Sequence, residues 1–146
     1  MTGGSQRALY SREMLALAVE LAGRPLDPEA PLQGEARSRT CGSIVAVSAS
    51  PSDDGTLGDI GIRASSCAVG QAAAALFLRA ADGTNEAALR DTHQQIEQWL
   101  AEGGDMPAWP DLAIIEPACA YPARHAAILL PWQAALDALS SSARSR

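Results

Sequence analysis

Three cysteines are the side chains best suited to chemistry in this chain, and Cys67 stands where local structure would alter its behaviour. The stretch Ser65-Ser66-Cys67-Ala68-Val69-Gly70-Gln71-Ala72 follows a run of strand-like alternation and opens a tract of small, helix-forming residues. Ser65 or Ser66 is the natural N-cap, which predicts Cys67 in the first helical turn. Unpaired backbone N–H groups and the positive end of the helix dipole there favour thiolate over thiol. That is one way to build a soft-metal or sulfur-handling site; an inert cysteine at a strand–helix corner fits the same pattern. Cys41 lies in Thr40-Cys41-Gly42-Ser43, which reads as a tight turn with Gly42 free to take a positive φ. A hairpin separates the two cysteines, and returning strands would bring them to one end of a sheet. Two thiolates converging from a turn and a helix start form half a site for zinc or an iron–sulfur cluster, although the spacing matches no compact CxxC knuckle.

The other candidates are weaker. Cys119 precedes Tyr121-Pro122 and reads as a packing or surface residue. His93 is expected on a solvated helix face, and Trp99 and Trp132 at apolar helical positions in the core. His125 follows Arg124 just before the last helix and is less easily dismissed. No Ser–His–Asp pattern, phosphate-binding glycine loop or paired-carboxylate motif stands out.

The elements that must position these residues follow from periodicity. A helix is predicted from Tyr10-Ser11-Arg12-Glu13, capped by Ser11, with Met14, Leu17, Ala18 and Leu21 on one face and Gly23 and Pro25 ending it. Strand character begins near Gly34 and runs to Ser38. Ile44–Ala49 is the strongest strand, Pro51–Gly55 a turn, and Ile60, Ile62 and Ala64 alternate with polar or small residues in a third strand. Helices are expected over about 67–80, 85–101 and 127–140, with a short helical piece at Leu112–Ala118. Leu89, Thr92, Ile96, Trp99 and Leu100 share one face of the second of these. The last buries Ile128, Trp132, Ala135, Leu136 and Leu139, and Pro131 fits only near its beginning or at a kink. The prediction is an α+β domain, a three-stranded antiparallel sheet against about five helices, spanning 10–139 between flexible tails at 1–9 and 140–146.

Length and composition agree. At 146 residues the chain can bury one core and is short for two. Apolar residues make up 47% but aromatics only 4%, which suits a closely packed, helix-rich domain better than a β-sandwich. A net charge of −6, dispersed along the chain, argues against a nucleic-acid or anionic-membrane surface. No apolar run reaches bilayer length and the start Met1-Thr2-Gly3-Gly4 has no signal-peptide core, so a cytoplasmic protein with reduced thiols is expected.

Taken in order, Tyr10-Ser11-Arg12-Glu13-Met14-Leu15, Thr40-Cys41-Gly42-Ser43, Ser66-Cys67-Ala68-Val69-Gly70-Gln71-Ala72 and Tyr121-Pro122-Ala123-Arg124 running on to Leu130-Pro131-Trp132 resemble the iron–sulfur cluster assembly scaffold family of the IscU/SufU or NifU N-terminal-domain type. The resemblance covers about residues 10 to 139. It implies a small antiparallel sheet packed on helices, and a [2Fe–2S] cluster or zinc held by three cysteines and one aspartate. It also implies sulfur delivered by a cysteine desulfurase and cluster passed to recipient proteins. Some members act instead as zinc-dependent sulfur acceptors.

Carried over residue by residue, the first family cysteine matches Cys41 and the second Cys67. The aspartate of the family's Cys-Gly-Asp turn is Ser43 here, and Ser66 stands where a glycine usually precedes the second cysteine. The third cysteine, three residues past the basic residue of a Pro-x-Arg/Lys segment, falls at Ala127. Closed tetrahedral sites want four donors and bind zinc with roughly 10–16 kcal/mol, so losing a thiolate and a carboxylate forfeits on the order of several kcal/mol. The expectation is therefore a divergent scaffold-like protein, not an enzyme, holding metal or cluster weakly at Cys41 and Cys67 or with ligands from a partner subunit, glutathione or His125. A non-cluster-binding interaction module that keeps the fold is the first alternative, in which no cofactor binds. A sulfurtransferase component taking a persulfide on Cys41 or Cys67 is the second.

Overall fold

The computed structural model describes residues 11–40 and 42–144, with side chains through 140. Cys41, Tyr10, the expected tail at 1–9 and the last two residues lie outside the described part. Three strands, β1 (Leu32–Arg37), β2 (Ile44–Pro51) and β3 (Leu57–Ser65), form one antiparallel sheet in the order β1-β2-β3. Among the described residues there are four α-helices, α1 (Arg12–Glu20), α2 (Ala68–Ala81), α3 (Glu86–Glu102) and α4 (His125–Arg144); α2 and α4 pack on the sheet, α1 on α2 and α3 on α4. A nine-residue 3₁₀ helix, Leu112–Ala120, is the fifth helical element, with short 3₁₀ turns at Leu21–Gly23 and Pro122–Arg124.

β2 is the central strand because its sequence is apolar on both faces; Val45 to Ala49 are all buried. The ladder pairs Arg37 with Ile44 and Ile44 with Ser65, so the end of β1, the start of β2 and the end of β3 meet at one end of the sheet. β1 begins two residues earlier than its composition suggests, since Leu32 already pairs with Ala49 and is buried. Helix α4 lies along β1. Its Asp137 carboxylate accepts the Glu35 N–H at 2.9 Å, satisfying a donor on the open strand edge.

Helix α1 starts where the sequence predicts: Ser11 Oγ accepts the Met14 N–H at 3.2 Å, and Met14 and Leu17 are buried. In the core, Phe77 of α2 and Trp132 of α4 meet Trp109, with ring centroids 5.3–5.9 Å apart, and Trp109 Nε1 donates to the Leu76 carbonyl at 2.8 Å. Trp99 is buried on α3, while Leu136 and Leu139 pack only half-buried on the far side of α4. Helix α4 starts at His125 and makes Pro131 its seventh residue, deeper than expected. It runs on to Arg144 because no glycine or proline interrupts the serine-rich end.

His93 departs from the expected solvated position. It is half-buried between α3 and α4, its Nε2 paired with the Gln133 amide nitrogen at 3.1 Å. Burial pushes the His93 pKa below its ordinary value, against a smaller upward pull from Glu97. The unfolded chain then binds this proton first, so stability is full above the unfolded value of about 6.5 and declines as pH falls below it. Urea midpoints at pH 7.5 and 5.5 should separate more for the wild type than for His93→Gln; equal separations would remove His93 from the pH dependence.

Candidate functional site

The end of the sheet where the three strand termini align carries the candidate site. Gly42 takes φ +72°, as its place in the turn requires. Next to it Ser43 is buried, and its carbonyl accepts the Ser38 N–H at 2.8 Å, closing the β1–β2 connection. Ser43 Oγ also accepts a hydrogen bond from Ser66 Oγ at 3.0 Å. The residue after Gly42 is thus joined to the residue before Cys67.

Cys67 itself is the N-cap of α2, with φ −67° and ψ 171°, rather than a first-turn residue behind a serine cap. The reason lies in its neighbours. Ser65 is still paired with Ile44, and the Ser66 hydroxyl is committed to Ser43, so the chain turns helical one residue later. The Cys67 side chain makes no capping hydrogen bond and is half-exposed. Its thiol sits at the positive end of a 14-residue helix.

Ala127, the third residue of α4, is fully buried. Its Cβ lies 3.2 Å from where a Cβ on Gly70 would stand, in the first turn of the helix that Cys67 caps. The position expected for a third ligand therefore faces the Cys67 helix, but it offers only a methyl group. His125 does not compensate. Two residues apart on a helix differ by about 200° around the axis, and the His125 ring pairs through Nε2 with the Cys119 carbonyl at 2.9 Å. Cys119 is half-buried, and burial, followed by the nearby Glu116 charge, pushes its thiol pKa up, which fits the packing role read for it.

Among the described residues no group of three or more His, Cys, Asp or Glu side chains could hold a metal ion. The possible donors described on this part of the fold are the Cys67 thiol and two hydroxyls that bond each other, with only a methyl at position 127. A closed four-donor site does not fit them. Cys41 lies outside the described residues; Gly42 and Ser43, which follow it, border the cluster. Two members of this arrangement, Ser66 and Gly70, escape a search for ligands because neither is one. The signal for them is a lone glycine in an alanine-rich helix preceded by paired serines.

No protein-family model matches the sequence, and no curated protein matches it. Solved structures do. The N-terminal part of a nitrogen-fixing NifU-like protein from Brucella abortus aligns with a TM-score of 0.86 and 26% identity over 97% of this chain and 99% of that one. A protein of Fervidobacterium islandicum AW-1, described as an iron–sulfur cluster assembly scaffold for the SUF system, aligns with a TM-score of 0.75 and 20% identity over 91% and 98%. A hypothetical protein aligns at 0.66 and 18% over 87% and 96%; at such identities the last two speak for the fold alone.

Proposed function

We propose that this divergent IscU/SufU/NifU-like domain is a scaffold-like protein of iron–sulfur cluster assembly, accepting iron and sulfide or persulfide at Cys41 and Cys67. A cysteine desulfurase is the sulfur source it would require, and cluster recipients its clients. Among the described residues no helix is long and apolar enough to cross a membrane, and cytoplasmic work fits the reduced thiols.

One observation carries the reading. Ala127 packs against the first turn of the helix that Cys67 caps, so two of the motif positions, 67 and 127, lie on elements that touch although they are remote in sequence. With a methyl at that position and Ser43 bound to Ser66, the shell must be completed from outside the chain, by a partner's thiol or a small thiol such as glutathione. Cargo held this way exchanges readily, which suits transfer more than storage.

Anaerobic reconstitution with ferrous iron, sulfide and glutathione is the direct test, read by visible absorption and metal analysis. The wild type should develop a charge-transfer spectrum. Cys67→Ala and Cys41→Ala should each lower bound iron at least tenfold while far-UV circular dichroism is unchanged. The Ser43–Ser66 hydrogen bond favours a second reading, in which the former aspartate position has become a structural joint and the domain only binds other proteins. A colourless, metal-free wild type that still binds a desulfurase would establish that reading instead.

A further inference from the structure

We infer that Ser66 and Gly70 are a matched pair that sets how Cys67 presents its thiol. The inference rests on Cys67 being the working residue of the proposed site, and its test reads that thiol without any cargo. Ser66 is held in three ways. Its hydroxyl donates to Ser43 Oγ at 3.0 Å, its carbonyl accepts from Gln71 Nε2 at 3.2 Å, and its side chain occupies the space above Gly70. A Cβ on Gly70 would collide with Ser66 Oγ, come within 2.8 Å of Ser66 Cβ, and press on Ala127 Cβ at 3.2 Å.

Gly70 is out of character in its helix. It is buried in the first turn of α2, where Gln71 and then four consecutive alanines follow, and alanine is the better helix former. Its φ lies in the ordinary helical range, so no backbone strain calls for glycine. The space taken by Ser66 does. In a common helix start, the side chain three residues past the cap folds back to the cap. Here the relation is reversed: the residue before the cap lies over the third helical position. Cys67 is therefore held between a serine anchored to Ser43, just before β2, and a helix packed on α4, and its side chain is left out of the capping bonds. Ser66 and Gly70 touch no substrate in this account; they are positioning residues.

Alkylation by iodoacetamide across pH 6–10, read peptide by peptide, tests this on the full chain. Trypsin cuts after Arg63 and Arg79 and isolates Cys67 in residues 64–79, while Cys119 falls in residues 91–124. Gly70→Ala should evict Ser66, break its bond to Ser43 and lower the melting temperature. It should also raise the Cys67 alkylation rate about three- to tenfold, with Cys119 within twofold of the wild type. Ser66→Ala removes the hydroxyl without adding bulk; it should move Cys67 in the same direction and carries the test if Gly70→Ala does not fold. Ser66→Gly in the Gly70→Ala chain should recover the melting temperature, because the obstacle is gone, while Cys67 stays fast. A Cys67 profile within twofold of wild type in folded Ser66→Ala overturns the inference. So does a parallel rise at Cys119, which would mean general loosening. Neither result bears on whether a cluster binds, so the two failures are distinguishable.

Discussion

Gly34→Ala should remove on the order of 3 kcal/mol or more of folding stability, at or above the upper end of the 1–3 kcal/mol usual for an overpacked core. Gly34 sits in β1 where α4 crosses it. A Cβ there would collide with the Ala134 carbonyl oxygen and the Ala138 amide nitrogen and come within 2.8 Å of Ala138 Cα. These are backbone atoms, so no rotamer change relieves the overlap. Either α4 lifts from the sheet or β1 shifts. Lifting α4 also disturbs the Asp137 carboxylate on the Glu35 N–H and the packing of Trp132 on Phe77 and Trp109. It would pull Ala127 away from Gly70 as well. Against a total stability of about 5–15 kcal/mol for a domain, the loss should appear as a large fall in urea midpoint. Gly23→Ala is the control. Nothing lies within 4 Å of a Cβ there, and a change within about 0.5 kcal/mol is expected. A Gly34→Ala cost near that of the control would mean that α4 is not held against β1 as described.

The fold was largely legible because its signals are local. The Ser11 cap, the strand over Ile44–Ala49 and the helix from about 85 each depend on a few neighbouring residues, and each holds; the alternation in β3 holds at Ile60, Ile62 and Arg63, while Gly61 is buried and Ala64 only half-buried. The family likeness was legible from the order of its motifs, and the structural comparisons agree with it. What sequence misread depended on contacts across the molecule. The α2 cap moved from serine to Cys67 because Ser43, 23 residues away from Ser66, claims the serine hydroxyl. His93 left the solvated face because Gln133 on α4, 40 residues on, meets it. No windowed pattern contains either partner. The cluster around Cys67 was half legible for a related reason: ligand chemistry picks out cysteines, whereas the fit of Ser66 over Gly70 is a matter of shape.

Ala127→Cys should convert a weak site into a tight one, and it is the strongest functional effect expected of a single substitution here. If a complete four-ligand zinc site is worth roughly 10–16 kcal/mol, one ligand averages about 3 kcal/mol, or roughly a hundredfold in affinity. The methyl of Ala127 already faces the first turn of α2, so the added sulfur is carried on the side of α4 that packs on the helix Cys67 caps. Ser43→Asp on the same chain supplies a carboxylate that can still accept the Ser66 hydrogen bond, and should add a further tenfold or more. Competition with a chromophoric chelator gives the affinity for zinc alone. Ala127→Ser is the control for bulk and polarity and should gain little, because a neutral hydroxyl is a poor zinc donor. The deciding comparison is Ala127→Cys with and without Cys67→Ala. Thiolates sharing one ion lose the gain together, whereas a gain that survives removal of Cys67 would place the new sulfur in some other site. That outcome would separate position 127 from the helix start it packs against, and with it the physical basis for treating the motif residues as one centre.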